Sequence, residues 1–221
     1  MAESITRPSY EKVERKVEVM DTPYDRWISS QGVDVVRGFF VEDLYTIPLK
    51  PWDRMGGTGV YIMLDGTGYL DDAYVVGIPP GKNLKPQRHI YEALYYVLDG
   101  RGATTVSQSN GAKQSFEWQT GSLFAIPLNA SYQHFNGQGD REARLLAVTT
   151  APLVFNLFHC EDFVINNPYA FTDRFKAASS GCPATCVSAT RSVRTDHRAV
   201  GLVGQHLEQH RVRHAAVDDV H

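Results

Sequence analysis

Short apolar runs, each bounded by residues that favour turns, recur along the chain from about residue 33 to residue 164. Gly, Pro, Asp and Asn separate these runs at intervals of roughly ten residues, as in a sandwich, a barrel or a jelly roll. No long helical period interrupts them. The pattern predicts an all-β domain with strands near 33–36, 39–41, 60–64, 73–78, 93–98, 103–106, 114–117, 122–126, 131–135 and 143–149.

The pattern divides the chain into three parts. Residues 1–35 are predicted to form an N-terminal arm, and residues 36–175 to form the β-barrel domain, with an irregular aromatic wrap over its core from 153 to 175. Residues 176–221 contain no Phe, Tyr or Trp, so they cannot supply much core. This last segment is predicted to be a poorly ordered or partly helical tail.

Composition and charge narrow the classes of partner. The chain has 43% apolar and 21% charged residues and a net charge of -3, which gives no electrostatic reason to bind nucleic acid or an acidic membrane. A membrane span is not expected, because no apolar run reaches the length that one needs. The charged N-terminus lacks the apolar segment of a signal peptide, and three Cys do not make a disulfide framework. These observations predict a cytoplasmic protein.

Two segments, 86–100 and 121–136, carry the chemistry of the β region. Each combines a strand-like apolar run, a flanking Gly and a His near one end. Together they resemble the two signature motifs of the cupin family, and the resemblance covers about residues 70–150. The resemblance implies the double-stranded β-helix, or jelly-roll barrel, of that family. It rests on Gly81, His89, Glu92, Gly100, Gly121, Pro127 and Asn136.

Within the cupins, the chain is more similar to the gentisate dioxygenase type. Ala93 stands where other cupins have a ligand Glu, and residues 132–136 end in a His-x-Asn string like the one in that group. This resemblance implies Fe(II) held by three His side chains and cleavage of an aromatic ring with O₂. It also implies a two-domain architecture, of which this chain corresponds to one cupin domain.

The alternation of strand residues predicts which side chains face the barrel interior. A metal that activates O₂ needs about three ligands on one face, and residues i and i+2 of a strand point the same way. We therefore expect His89 and His134 as ligands of Fe(II) or another divalent metal, with Gln87 or Glu92 as the third. Glu92 would reach the interior only through a β-bulge. The predicted substrate pocket contains Tyr95 and Tyr132.

The metal motif itself departs from the cupin pattern. Gln87 stands where the first His of the motif is expected, and Tyr132 stands where the second motif places its His, so only His89 holds its usual position. Two hypotheses follow. The first is a metal-dependent dioxygenase acting on a small aromatic or carboxylate-bearing substrate, and the alternative is a metal-free cupin that binds a small molecule or has a regulatory or structural role. By analogy with cupins, we also expect a homodimer.

Overall fold

A computed structural model describes residues 21–107 and 111–171. Residues 1–20 of the predicted arm and the whole predicted tail, 176–221, lie outside the described residues. The described elements are α1 (Pro23–Ser30), β1 (Val35–Gly38), β2 (Lys50–Trp52), β3 (Gly57–Leu64), β4 (Asp72–Ile78), β5 (Ala93–Asp99), β6 (Arg101–Ser107), β7 (Lys113–Gln119), β8 (Leu123–Ile126), β9 (Ser131–Asn136), β10 (Ala143–Thr149), α2 (Ala151–Phe158) and α3 (Glu161–Val164).

The strands form two sheets, which confirms the prediction of an all-β jelly-roll barrel. The larger sheet has the order β1-β3-β4-β10-β5-β8, with β2 paired to β3, and the smaller sheet has the order β7-β6-β9. All pairs within the sheets are antiparallel except β1 with β3, which is parallel. Isolated bridges extend the smaller sheet beyond β9, because Asn83 pairs with Phe135 and Gln87 pairs with Tyr132.

Alternation along the strands fills the space between the two sheets with aromatic side chains. In β9, Tyr132, His134 and Asn136 are buried, while the residues between them are only partly buried. Two-residue periodicity is what a strand with one face on a core requires. The main cluster thus collects Tyr rings from several strands, among them Tyr61, Tyr74, Tyr95 and Tyr132.

The motif residues that are not candidate ligands hold the fold together. Gly100, between β5 and β6, has φ +100°, and a Cβ there would lie 2.7 Å from the Cβ of Ala143. Asn136 is buried, and its Nδ2 donates hydrogen bonds to the backbone oxygens of Ile78 at 3.0 Å and Arg141 at 2.8 Å. These positions of the two motifs therefore specify the turns and their attachment to the sheet, not the chemistry of the interior.

The described part of the predicted arm packs against the barrel. Thr22 caps α1, because its Oγ1 accepts from the backbone N of Asp25 at 3.1 Å and the Asp25 carboxylate accepts in return. Tyr24, Trp27 and Ile28 of α1 belong to the main core cluster. The helix is therefore part of the structure that surrounds the interior.

The prediction of an irregular wrap over residues 153–175 is wrong in part. Residues Ala151–Phe158 form α2, and residues Glu161–Val164 form α3. The end of α2 is marked by His159, which takes a left-handed conformation with φ 54°. Phe155 of α2 packs on Trp27 of α1, with ring centroids 4.4 Å apart, so the two helices cover one side of the core together.

A second apolar cluster covers the outer face of the larger sheet. Ile47 and its partly buried neighbours Leu44 and Leu49 pack on the outward side chains of β3, β4 and β5. Among the described residues, no helix is both long and apolar enough to cross a membrane.

Candidate functional site

A chain of buried hydroxyl and imidazole groups crosses the barrel interior. The Tyr74 and Tyr95 hydroxyls are 2.6 Å apart, and those of Tyr95 and Tyr132 are 2.8 Å apart. The Tyr132 hydroxyl is 2.8 Å from Nε2 of His89, and Nδ1 of His89 is 2.9 Å from the backbone oxygen of Tyr91. All five residues are buried. The predicted interior residues His89, Tyr95 and Tyr132 therefore meet in one network.

The backbone oxygen at the end of this network fixes the direction of its hydrogen bonds. A carbonyl oxygen only accepts, so Nδ1 of His89 donates to Tyr91, and Nε2 is left to accept from the Tyr132 hydroxyl. The oxygen of Tyr132 then accepts from Tyr95, whose oxygen accepts from Tyr74. His89 is held further by its ring, which stacks on the Tyr91 ring with centroids 3.7 Å apart and planes 4° apart.

Burial keeps both interior histidines neutral. Loss of solvent and, to a smaller extent, the positive charge of Arg54 lower the pKa of His89 to about 3, against the effect of the hydrogen bond to Tyr91. Burial also lowers the pKa of His134 to about 3, with a smaller contribution from His89. Burial raises the pKa of Tyr132, so its phenol stays protonated and can donate to His89.

His134 has one nitrogen without a partner. The Trp118 indole donates to Oγ1 of Thr104 at 2.9 Å, and the same hydroxyl lies 2.7 Å from Nδ1 of His134. The simplest assignment has Thr104 donating to Nδ1, which leaves a hydrogen on Nε2. That Nε2 is buried and has no hydrogen-bond partner. Tyr95, at 4.7 Å between ring centroids, and Phe124, at 5.9 Å, pack against the imidazole.

Gln87 is buried but faces a cation. Its Oε1 accepts a hydrogen bond from the guanidinium of Arg54, and its Nε2 donates to the backbone oxygen of Lys85 at 3.1 Å. Arg54 follows β2 and lies against two indoles, with its guanidinium carbon 5.2 Å from the ring of Trp27 and 5.2 Å from that of Trp52. The Gln87 oxygen that was a candidate metal ligand thus already accepts a hydrogen bond from the cationic side chain of Arg54.

The structure does not bring Glu92 to the interior, which corrects its assignment as a possible ligand. Its side chain is exposed, and its backbone N donates to Oγ1 of Thr150 at 3.1 Å. It lies at a surface depression of about 490 Å³ beside Asp71 and Leu94. The neighbouring Ala93 is buried, so regular alternation without a β-bulge turns Glu92 outward.

The donor set does not fit a divalent metal. His89 Nε2 accepts from Tyr132, His134 Nε2 carries a hydrogen in the simplest assignment, and the oxygen of Gln87 faces the Arg54 cation. A metal ligand needs a free electron pair, and a nearby guanidinium repels the metal ion. Among residues 21–107 and 111–171, no group of three or more His, Cys, Asp or Glu side chains is placed to hold a metal.

Several residues of the interior were not expected from the sequence. Arg54 lies in a turn outside both motifs, and nothing in its neighbourhood marks it as an inward-facing cation. Thr104 and Trp118 lie on strands that the pattern predicts correctly, but the hydrogen bonds from Trp118 to Thr104 and between Thr104 and His134 depend on the pairing of β6 with β7 and β9. Tyr91 precedes β5, and its backbone oxygen accepts locally from His89. Alternation along β6 and β7 is the one sequence signal that points to Thr104 and Trp118 as inward-facing.

The sequence profile of the auxin binding protein family matches residues 40–176. Comparison with curated proteins gave no match.

Among solved structures, a vicilin from tomato (Solanum lycopersicum) is 16% identical over 42% of this chain and 28% of that chain, with a TM-score of 0.39. An oxalate decarboxylase from Lactobacillus farciminis is 23% identical over 48% of this chain and 31% of that chain, with a TM-score of 0.42. A recombinant oxalate oxidase in complex with glycolate is 21% identical over 37% of this chain and 42% of that chain, with a TM-score of 0.34. This chain thus covers less than half of each of these proteins. None of the three is a gentisate dioxygenase.

Proposed function

Since this chain belongs to the auxin binding protein family, a family of cupins, we propose that it binds a small organic molecule between the two sheets of its barrel. The observation that carries the proposal is the buried Nε2 of His134, which has no hydrogen-bond partner. An unsatisfied buried polar group costs about 1–3 kcal/mol. A ligand oxygen that accepts from Nε2 removes this cost, so the site favours a molecule with a carbonyl or similar acceptor.

The surroundings of His134 favour an aromatic ligand. Tyr95, Phe124 and Tyr132 pack their rings against the imidazole, with centroid distances of 4.7, 5.9 and 5.2 Å. Pockets for small molecules combine apolar walls with a few placed polar groups. The proposed ligand is therefore a small aromatic molecule with an acceptor oxygen, a class to which auxin, in the name of the family, belongs.

The test is a titration of the purified chain with auxin, followed by calorimetry. We expect saturable binding by the wild type and a loss of about tenfold in affinity in His134→Leu, since one hydrogen bond is worth about 1 kcal/mol and its buried partner would be left unpaired. Gln133→Leu is the matched control, because Gln133 lies next to His134 on β9 but is only partly buried. Equal affinities for wild type and His134→Leu would contradict the proposal.

A second candidate function, the metal-dependent dioxygenase, is favoured by one observation. Nδ1 of His89 donates to a backbone oxygen at 2.9 Å, as the second nitrogen of a metal-bound His usually does. Metal binding at Nε2 would require Tyr132 to leave its present position. Fe(II) or another divalent metal bound there would activate O₂ and the substrate.

Metal analysis after supplementation with Fe(II), Mn(II) and Zn(II) separates the two candidates. With the present donor set we expect well below one metal per chain. Gln87→His and Tyr132→His would restore the histidines of the motif beside His89, and Arg54→Met would remove the cation that repels a metal. We expect the triple variant to bind one metal. A wild-type chain that holds one metal and loses it in His89→Ala would instead support the dioxygenase. The homodimer and the cytoplasmic location stay predictions.

A further inference from the structure

Arg54 is a cation without an acidic partner at the inner side of α1. Its Nε donates to Oε1 of Gln31 at 2.8 Å, and its other hydrogen bond goes to the neutral amide of Gln87. Among the described residues, no carboxylate lies within ion-pairing distance of its guanidinium. Arg residues that are largely withdrawn from water are normally paired with an anion.

The charge of Arg54 is directed at the interior network. Although burial by itself lowers the pKa of Arg54, the phenols of Tyr91, Tyr61, Tyr74 and Tyr132 raise it, and its own charge lowers the pKa of His89. The guanidinium therefore stands at the same interior that the histidines line. Arg is protonated at every accessible pH, so this cation is permanent.

Two further donors without partners belong to the same ring cluster. Nε1 of Trp27 is buried and has no hydrogen-bond partner, and the buried hydroxyl of Tyr61 turns its oxygen toward the Arg54 guanidinium and has no acceptor for its hydrogen. The two rings meet edge to face with centroids 6.0 Å apart, and Trp27 is one of the two indoles under Arg54. A cation and two unpaired donors in one place need an acceptor that carries negative charge.

Asp72 does not fill that need. Its carboxylate is buried, and it already accepts hydrogen bonds from the hydroxyls of Tyr24 and Thr149. Its charge reaches Tyr61, but it makes no ion pair with Arg54.

We propose that Arg54, with Trp27 and Tyr61, forms the anion subsite of the interior and receives the carboxylate of an aromatic acid. This inference rests on the proposed small-molecule binding and names its ligand class. In a cupin with a metal, the metal ion provides the positive charge of the interior. Here Arg54 provides that charge, and its contact with Gln87 puts it beside the position where the motif expects the first ligand His.

The experiment compares benzoate with benzamide, which has nearly the same shape but no charge. We expect the wild-type chain to bind benzoate about 10- to 100-fold more tightly than benzamide, the range of one charge-assisted hydrogen-bonded contact. Calorimetry measures both affinities. Fluorescence of Trp27 and Trp52, which flank Arg54, reports occupancy of the subsite.

Arg54→Met is expected to weaken benzoate binding about 10- to 100-fold and to bring the ratio of the benzoate and benzamide affinities close to one. Arg26→Met is the matched control on α1, since Arg26 is exposed and pairs with Asp21 at the surface. If circular dichroism shows that Arg54→Met does not fold, the ratio of the benzoate and benzamide affinities is measured for Arg54→Gln and for the wild type, and these two ratios test the subsite. A wild-type ratio near one, with benzamide binding intact, would overturn the anion subsite and leave the proposed function standing.

Failure of the proposed function would give a different result from failure of the anion subsite. If benzoate binding depends on Arg54 but is unchanged in His134→Leu, the anion subsite exists without the predicted contact to His134. If the wild-type chain binds neither benzoate nor benzamide, both the subsite and the proposed function are wrong.

Discussion

The Tyr132 hydroxyl joins the interior network at its centre. It donates to Nε2 of His89 and accepts from Tyr95, and both contacts are 2.8 Å long. Removing it leaves a buried acceptor on His89 and a buried donor on Tyr95. We expect Tyr132→Phe to lower the free energy of unfolding by about 1–3 kcal/mol, the usual cost of stranding such groups. Urea denaturation monitored by circular dichroism measures the change.

Tyr96→Phe is the control for this prediction. Tyr96 is on β5 beside Tyr95 but belongs to the cluster on the outer face, and in the described part of the chain no hydrogen bond from its hydroxyl is seen. A change within about 0.5 kcal/mol is expected for such a site. A loss in Tyr96→Phe as large as that in Tyr132→Phe would show that the network contributes nothing specific.

For individual residues, the sequence predicts which side chains face the interior better than it predicts their hydrogen-bond partners. Alternation correctly puts Gln87, His89, Tyr95, Tyr132 and His134 in the interior, because one face of each segment must be buried. Their hydrogen bonds depend on partners that lie far away in sequence. Arg54 is the clearest case, since its contact with Gln87 spans 33 residues and belongs to no motif.

At the scale of elements, α1 shows how local and tertiary contributions divide. Its capping box is local, whereas Trp27 stacks on Phe155 and is only 4% exposed. An eight-residue helix is too short to be stable alone, so packing must hold it. We expect Trp27→Ala to cost about 3–5 kcal/mol and Thr22→Ala about 1 kcal/mol in unfolding free energy. Guanidinium denaturation of both variants measures the ratio.

Ser30→Ala, at the exposed end of α1, serves as the reference and should change stability by about 0.5 kcal/mol or less. Should Thr22→Ala cost as much as Trp27→Ala, the helix would depend on its cap and not on the barrel. Limited proteolysis within residues 21–31 gives an independent measure, because a detached α1 is cut faster than a packed one.

The contrast between local sequence signals and tertiary packing also explains which elements could be predicted from the sequence. Nine of the ten described strands lie at or next to predicted apolar runs, since Gly, Pro and Asn mark the turns between them. The predicted run 39–41 is not a strand, and Phe39 and Phe40 are exposed. The helices α1 and α2 were missed because each has only eight residues, which is too short for a clear helical period.

At the scale of the whole molecule, stability against pH follows from the buried titratable groups. His89 and His134 have a pKa of about 3 in the folded chain, against an ordinary value of 6.5. Between pH 3 and pH 6.5, each of these histidines is neutral in the folded chain and takes up a proton on unfolding. Its contribution is complete above pH 6.5 and is lost as the pH falls from 6.5 toward 3.

Asp72 acts in the opposite direction. Burial raises its pKa from 3.8 to about 6, against the hydrogen bonds from Thr149 and Tyr24. A carboxyl with a raised pKa contributes stability that is complete below 3.8 and is lost as the pH rises through 6. The pKa of this one carboxyl changes less on folding than that of either histidine, so it offsets only part of their effect between pH 4 and pH 6.

Together these groups predict that the chain loses several kcal/mol of stability between pH 7 and pH 4, since a tenfold difference in proton affinity between the folded and unfolded chain corresponds to about 1.4 kcal/mol. Urea denaturation at pH 7, 5.5 and 4 measures the slope. His134→Gln should flatten it, because one of the two histidines is removed, whereas Asp72→Asn should steepen it, because the opposing group is removed. His159→Gln is the control, since His159 is exposed. A slope that none of these variants changes would place the acid sensitivity outside the barrel interior.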